Sequence, residues 1–303
     1  MTGNAMDAGL ARLGVDTVVG AALPESGLRF PDGARYHVEI PSVEGPEAFA
    51  EVLQAAENQA LRVHRISQGS GIMLQSDAEI REMVELGRQH DIEVCLFTGP
   101  RAAWDIGRQT TASSGAVIGA SARGHQQLLH ALRDVERGCE LGLRSVLLGD
   151  LGVVWAVSQL RASGDLPQDL IIKSSVALPA ANPASARVLA ELGVDTINLP
   201  VDLSVDQIAA IRVSVDAPLD CYIEGPDDFG APVRHHEIPE IVRVAAPVHL
   251  KFTVRNSPGI YPGGEQLRSV VLASARERVR RAALGLELLR RHAPDLCNRP
   301  ETA

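Results

Sequence analysis

Two short stretches late in the chain alternate apolar and polar residues one by one. In Leu219–Glu224, Leu219, Cys221 and Ile223 fall on one face and Asp220, Tyr222 and Glu224 on the other. In Val248–Thr253, Val248, Leu250 and Phe252 oppose His249, Lys251 and Thr253. A period of two is that of a β-strand with one apolar and one polar face. Each stretch runs into a loop rich in glycine, proline and ionisable residues.

The pattern extends back to Tyr36 as a strand–helix rhythm. Strands are predicted over Tyr36–Ile40, Leu61–Ser67, Ile92–Phe97, Ser145–Leu148, Leu170–Ser174 and Thr196–Leu199, ahead of the two above. Helices are predicted over Pro46–Gln59, from Ser76 with Glu79 completing a capping box, and over Gln126–Leu141 and Val153–Ser163. They continue over Pro183–Leu192, closed by Gly193, over Ser204–Val213, and from Glu265 to Arg291. Eight such units predict an α/β fold of the (β/α)8 TIM-barrel type, and no GxGxxG follows the first strand to suggest an open dinucleotide-binding sheet.

Residues 1–34 predict a lead-in: a short helix over Asp7–Leu13, a strand over Asp16–Ala22, and a hairpin turned at Pro31-Asp32-Gly33 that flanks or plugs the barrel base. The barrel itself is expected over 35–292, with residues 293–303 a frayed tail. Residues 98–124 are too long for a plain strand-to-helix connection and predict a lid or binding loop with a short helix near Ala102–Ile106.

Composition narrows the function classes. The chain has 303 residues, 45% of them hydrophobic, with no apolar run long enough to span a bilayer and no signal-like N-terminus, so a cytoplasmic location is expected. A net charge of −9 argues against nucleic acid or an anionic membrane as the main partner. Cys95, Cys139, Cys221 and Cys297 form no CxxC pair and read as small buried hydrophobes. Of 29 basic residues only Lys173 and Lys251 are lysines, and both fall in strands. An arginine holds an anion but forms no imine and gives up no proton, so these two positions raise the question of amine chemistry.

In a barrel the inward strand face near the C-terminal end is where polar residues gather. That parity selects His37 and Glu39, His64 or Arg65, Asp150, Lys173 and Ser175, Asn198, Tyr222 and Glu224, and Lys251, Thr253 and Arg255. Lys251, Lys173, Glu224 and Glu39 are the candidate catalytic residues; a lysine beside carboxylates serves as imine-forming nucleophile, acid/base group or fixed cation. The plain alternative is a static Lys–Glu ion pair. Arg255, Asn198, His64, Asp150, Tyr222, Arg123 and Asn256 are candidate substrate-binding residues. Arg255 and Asn256 open the loop that leads to Gly263-Gly264 and the last helix, the usual anion site of a barrel, and Arg123 ends the loop TTASSGAVIGASARG. No cofactor is expected. A divalent metal at Glu224 and His236 is the weaker alternative, because Asp227, Asp228, His235, His236 and Glu237 match no ligand spacing. The expected partner is a small anionic metabolite, and the long last helix leaves room for a homodimer.

Asp150-Leu151-Gly152, Asn182, Leu189–Val194 (LAELGV) and Leu203–Ile211 stand in an arrangement that resembles peptidase family U32, the collagenase-like proteases, over residues 146–226. The resemblance implies a peptidase label and, for some members, action in pairs as assembly subunits. Two departures stand out. The family's strand seven usually ends in Val-His-Gly, where this chain has Ile223-Glu224-Gly225, and only Cys297 follows Cys221, so the iron–sulfur cysteines of one branch have no counterpart. The sequence therefore predicts a barrel-only, cluster-free relative. Its expected activity is lyase or isomerase chemistry on a small carbonyl- or carboxylate-bearing anion. A metal-assisted hydrolase and a non-catalytic assembly subunit are the alternatives.

Overall fold

A computed structural model describes residues 12–14, 23–178, 180–230 and 232–298. The strand expected at 16–22 and most of the helix expected at 7–13 lie outside them. Eight strands follow in order: β1 (Tyr36–Pro41), β2 (Arg65–Gln68), β3 (Glu93–Phe97), β4 (Ser145–Leu148), β5 (Ile171–Ser174), β6 (Ile197–Asn198), β7 (Leu219–Glu224) and β8 (Val248–Phe252). They form one parallel sheet in the order β5-β4-β3-β2-β1-β8-β7-β6. A Lys173–Thr196 bridge and a Ser174 N–H to Thr196 O bond of 3.1 Å bring β5 to β6 and close the ring. The chain is a TIM barrel.

The helices between strands are α1 (Pro46–Asn58), α2 (Asp77–His90), α3 (Gly124–Glu140), α4 (Leu151–Ser163), α5 (Pro183–Glu191), α6 (Val205–Ser214), α7 (Ile238–Ala245) and α8 (Arg268–His292). Local chemistry sets their starts. Ser76 and Glu79 make the expected capping box of α2, Asp150 caps α4 through the Val153 N–H, and Asn182 caps α5 with Pro183 in its first turn. The helices cover the outward strand faces, where Val248, Leu250 and Phe252 are fully buried. On α8, Val271, Ala275, Val279, Ala282, Leu286 and Leu289 recur at helical spacing and are buried. Gly285 lets α8 come close to the barrel: a methyl group there would meet Ile238 at 2.8 Å and Phe252 at 2.9 Å.

Two expectations at the barrel base need correction. The turn at Pro31–Gly33 forms, with Phe30 N–H bonded to Ala34 O at 2.9 Å, but residues 23–30 adopt no strand and no hairpin ladder results. They bond to the end of α7 instead, Ser26 N–H to Arg243 O at 2.9 Å and its hydroxyl to Ala246 O. Residues 293–298 do not fray: Leu296 is buried and Asn298 bonds the backbone of Arg35 and Tyr36.

This base is closed by stacked rings. Phe30 stacks on His37 with centroids 3.7 Å apart, and His37 on His64 at 4.1 Å. His64 Nδ1 accepts the Val38 N–H at 3.1 Å, so its proton sits on Nε2. Burial, helped by His37 and Arg62, pushes His64 down to about 3, and burial with Arg65 pushes His249 down to about 4. The unfolded chain therefore binds protons near pH 6.5 that the folded chain refuses, and stability falls as pH drops below that value. His64 alone is expected to remove about 1–2 kcal/mol between pH 7 and 5. Urea unfolding at the two pH values should show a smaller loss for His64→Gln than for the parent; an equal loss contradicts the neutral, buried histidine.

Candidate active site

Strand parity decides what the barrel interior holds. Paired positions share a face, and the inward register runs Arg65 and Glu93, Glu39 and Lys251, Lys251 and Tyr222, and Asn198 and Asp220. The interior is two-sided. On β3 and β4, Cys95, Phe97 and Leu147 form a small apolar cluster separate from the main core, with Ala120 of the 98–124 loop packed on it. Gly149, just past β4, leaves room for this contact: a methyl there would meet Ala120 at 2.7 Å and Phe97 at 2.9 Å.

The rest of the interior is charged. Lys173 Nζ lies 2.5 Å from Glu39 and 2.8 Å from Asp220, and all three side chains are fully buried. Arg65 reaches Asp220 at 3.1 Å, Glu39 at 3.4 Å and, through Nε, Glu93 at 2.9 Å. Ser67 donates to Glu39 at 2.6 Å and Thr196 to Asp220 at 2.9 Å, while His249 Nδ1 stands 2.8 Å from Asp220. Burial alone would raise both carboxyls. Lys173 and Lys251 around Glu39, and Lys173 and Arg65 around Asp220, outweigh it and hold both well below the usual carboxylate range. Three cations face three carboxylates with His249 neutral, so the cluster carries no net charge.

Lys251 differs from Lys173. Among the described residues its one carboxylate contact is Glu39 at 3.3 Å. Its ammonium lies 4.3 Å from the Tyr222 ring centroid, and Asn198, with its amide oxygen turned inward, accepts from it at 3.0 Å and from Val176 N–H at 3.3 Å. Burial, with Glu39 beside it, pushes the Tyr222 phenol up, so it stays a hydrogen-bond donor.

The sequence-selected residues divide accordingly. Lys251, Lys173, Glu39, Tyr222 and Asn198 come together. Glu224 does not. A bulge on β7 shifts the register so that Glu224 pairs with outward-facing Phe252. Its carboxyl meets Arg255 N–H at 3.1 Å, His235 at 3.4 Å and Arg281 of α8 at 3.5 Å. Burial would raise it, but these partners hold it below its ordinary value. His236 makes no hydrogen bond or ion pair with Glu224; His235 takes that place, and among the described residues no cluster of three or more metal-ligating side chains exists. His64 belongs to the base. Asp150 is a helix cap that also accepts Ala122 N–H at 3.1 Å. Arg123 is a strut, 2.7 Å from Asp105 within the loop. Arg255 is exposed and 3.7 Å from Asp227, and Asn256 gives that carboxylate its backbone N–H.

Arg65, Asp220 and His249 were passed over or left ambiguous by sequence parity, although Asp220 and His249 share the polar faces of Tyr222 and Lys251. A cavity of about 780 Å³ lies at the opposite, N-terminal end, lined by Arg29, Asp32, Arg62, His64, Arg290 and Cys297 among others. It is separated from the lysines by the ring stack, and barrel chemistry gathers at the other end. At that end the loops after β7 and β8 enclose only about 60 Å³ beside Thr253, Tyr261 and Arg278.

Removing one member of a buried, compensated set leaves the others uncompensated. Lys173→Ala is expected to cost about 3–5 kcal/mol of unfolding free energy, and Lys251→Ala clearly less. The depressed carboxyls add stability above the unfolded carboxylate range near pH 4 and lose it as pH falls through their lower folded values. Lys173→Ala should therefore also unfold at a higher pH during acid titration followed by circular dichroism. Equal effects of the two substitutions would contradict the distinction drawn between the lysines.

No curated protein matches the chain in sequence. Two solved barrels share its fold: the YdjI aldolase from Escherichia coli K12, at 13% identity and TM-score 0.51 over 84% of this chain and 91% of that one; and a putative fructose-1,6-biphosphate aldolase from Coccidioides immitis, at 12% identity and TM-score 0.52 over 87% and 90%. Residues 120–227 match the model of peptidase family U32. That span contains Asp150-Leu151-Gly152, Asn182 and Leu189–Val194, on which the resemblance was read, and β4 to β7 of the barrel. Over this segment, about a third of its length, the chain is similar to peptidase family U32.

Proposed function

We propose that the chain is an enzyme that acts on a small carbonyl- or carboxylate-bearing anion by lyase or isomerase chemistry, with Lys251 as the reactive cation. One observation carries this reading. Of the two interior lysines, Lys173 is locked between two carboxylates at 2.5 and 2.8 Å, while Lys251 keeps one looser contact at 3.3 Å and is otherwise held by a ring face and an amide oxygen. A ligand carbonyl replaces such contacts more readily than a tight ion pair.

In this reading Lys251 polarises the carbonyl or condenses with it. The ammonium passes a proton to the carbonyl oxygen, the freed lone pair forms the C–N bond, and the oxygen leaves as water with a second proton from the nitrogen, so that an iminium remains to draw electrons from the adjacent carbon. Tyr222, kept protonated by burial, donates a hydrogen bond to developing negative charge. Asn198 orients the ammonium. Glu39 is a fixed counter-charge rather than a base, because a carboxyl held so far below its ordinary value binds protons weakly. Lys173 and Arg65 hold Glu39 and Asp220 in place. The neutral charge balance of the cluster favours one second reading, a barrel whose interior ions are purely structural and which serves as a non-catalytic subunit.

Intact mass after borohydride treatment with a panel of small 2-oxo acids and ketose phosphates separates the two. The proposal predicts a reduced adduct on the parent protein, lost in Lys251→Arg and retained in Lys173→Arg. Arginine keeps the charge and forms no imine, which limits loss of folding as an explanation. Absence of any adduct, together with unchanged binding of the same compounds by Lys251→Arg, would sink the assignment to Lys251.

A further inference from the structure

Arg101 is a partly buried cation that the mechanism above does not use. It follows β3 in the 98–124 loop, and its guanidinium carbon lies 3.9 Å from the ring centroids of both Phe97 and Trp104. Phe97 is the last inward residue of β3, in the apolar cluster with Cys95 and Leu147. A guanidinium stacked on that ring stands at the C-terminal mouth of the barrel. Its Nη2 donates to Gly69 O at 2.6 Å and Ser70 O at 3.2 Å, while Glu44 grips the N–H groups of the same two residues at 2.8 and 3.1 Å. The turn after β2 is thus clamped from both sides.

What Arg101 lacks is a carboxylate. Among the described residues none lies within ion-pair distance of it, and its Nε is buried with no hydrogen-bond partner. The ionisable groups that act on it, Tyr261, Glu44 and Asp134, do so from farther away, and burial pushes its pKa down to about 10. Arg65, in the charged interior of the barrel, is by contrast compensated by three carboxylates. A partly buried guanidinium with no counter-ion keeps a desolvation cost that a ligand anion would relieve, and aromatic faces offset only part of it.

We propose that Arg101 is the anion subsite of this barrel: it binds the carboxylate or phosphate group of a small ligand at the mouth, against the Phe97 wall. The identification of that ligand with the substrate rests on the reading of Lys251 above; the anion site itself does not. The geometry also supplies the reporter, since Trp104 stacks on the same guanidinium and the chain has only two tryptophans. In a Trp155→Phe background, Trp155 being exposed on α4, emission comes from Trp104 alone.

Titration with inorganic phosphate and with succinate, against sodium chloride at equal ionic strength, is expected to change Trp104 emission saturably. Arg101→Gln should abolish the response, and Arg101→Lys should weaken it about tenfold or more, because lysine keeps the charge but loses the planar fork. Lys251→Arg should leave the titration in place, so loss of the borohydride adduct and loss of anion binding are read separately. A response to neither anion beyond that of chloride, or an Arg101→Gln protein that keeps its fold and titrates like the parent, overturns the proposal.

Discussion

Lys173 sits without solvent contact between Glu39 and Asp220, and the interior of the barrel is arranged around that arrangement. An ion taken out of water is tolerable only beside opposite charge and hydrogen bonds. Here β5 supplies the cation, β1 and β7 the carboxylates, and β2 the second cation in Arg65. Four strands that are far apart in sequence must therefore keep their register together, since a slip of one residue would turn a charge outward into the helix layer. Ser67, Thr196 and His249 fill remaining positions around the same two carboxylates.

The same constraint divides the barrel by depth. At the base, neutral histidines and Phe30 seal the interior. In the middle, charges cancel in tight pairs. Toward the C-terminal end compensation becomes looser: among the described residues Lys251 has one carboxylate, at 3.3 Å, and Arg101 has none within ion-pair distance. The gradient runs in the direction in which a barrel opens to its ligands. It gives the two loosely compensated cations a common physical meaning, with Phe97 and Leu147 as the apolar wall beside them.

Much of this was legible in the sequence because strand period and helix caps are local signals. Val248–Phe252 and Leu219–Glu224 alternate cleanly, and Ser76 with Glu79 marks a helix start by side-chain chemistry alone. Parity then put Lys251, Tyr222, Lys173 and Glu39 inside. It failed at Glu224 because a bulge adds one residue to β7, and a bulge leaves no mark in a two-residue period. His64 against Arg65 stayed open because β2 contributes only four residues. Asp220 was readable as inward but not as the partner of Lys173, since that pairing crosses the barrel. Arg101 lies in a loop with no periodicity, and its unmatched charge is visible only once its neighbours are in place.

The presence of just two lysines makes the central claim directly measurable. Reductive methylation with formaldehyde and borohydride, a reagent small enough to enter a barrel mouth, followed by peptide mapping, reports how far each amine can be reached. The account predicts methylation at Lys251 and protection at Lys173 in the folded protein, with both modified after unfolding. Modification of Lys173 at a rate equal to Lys251, or protection of both, would contradict the assignment of Lys251 as the reactive end of a buried ion cluster.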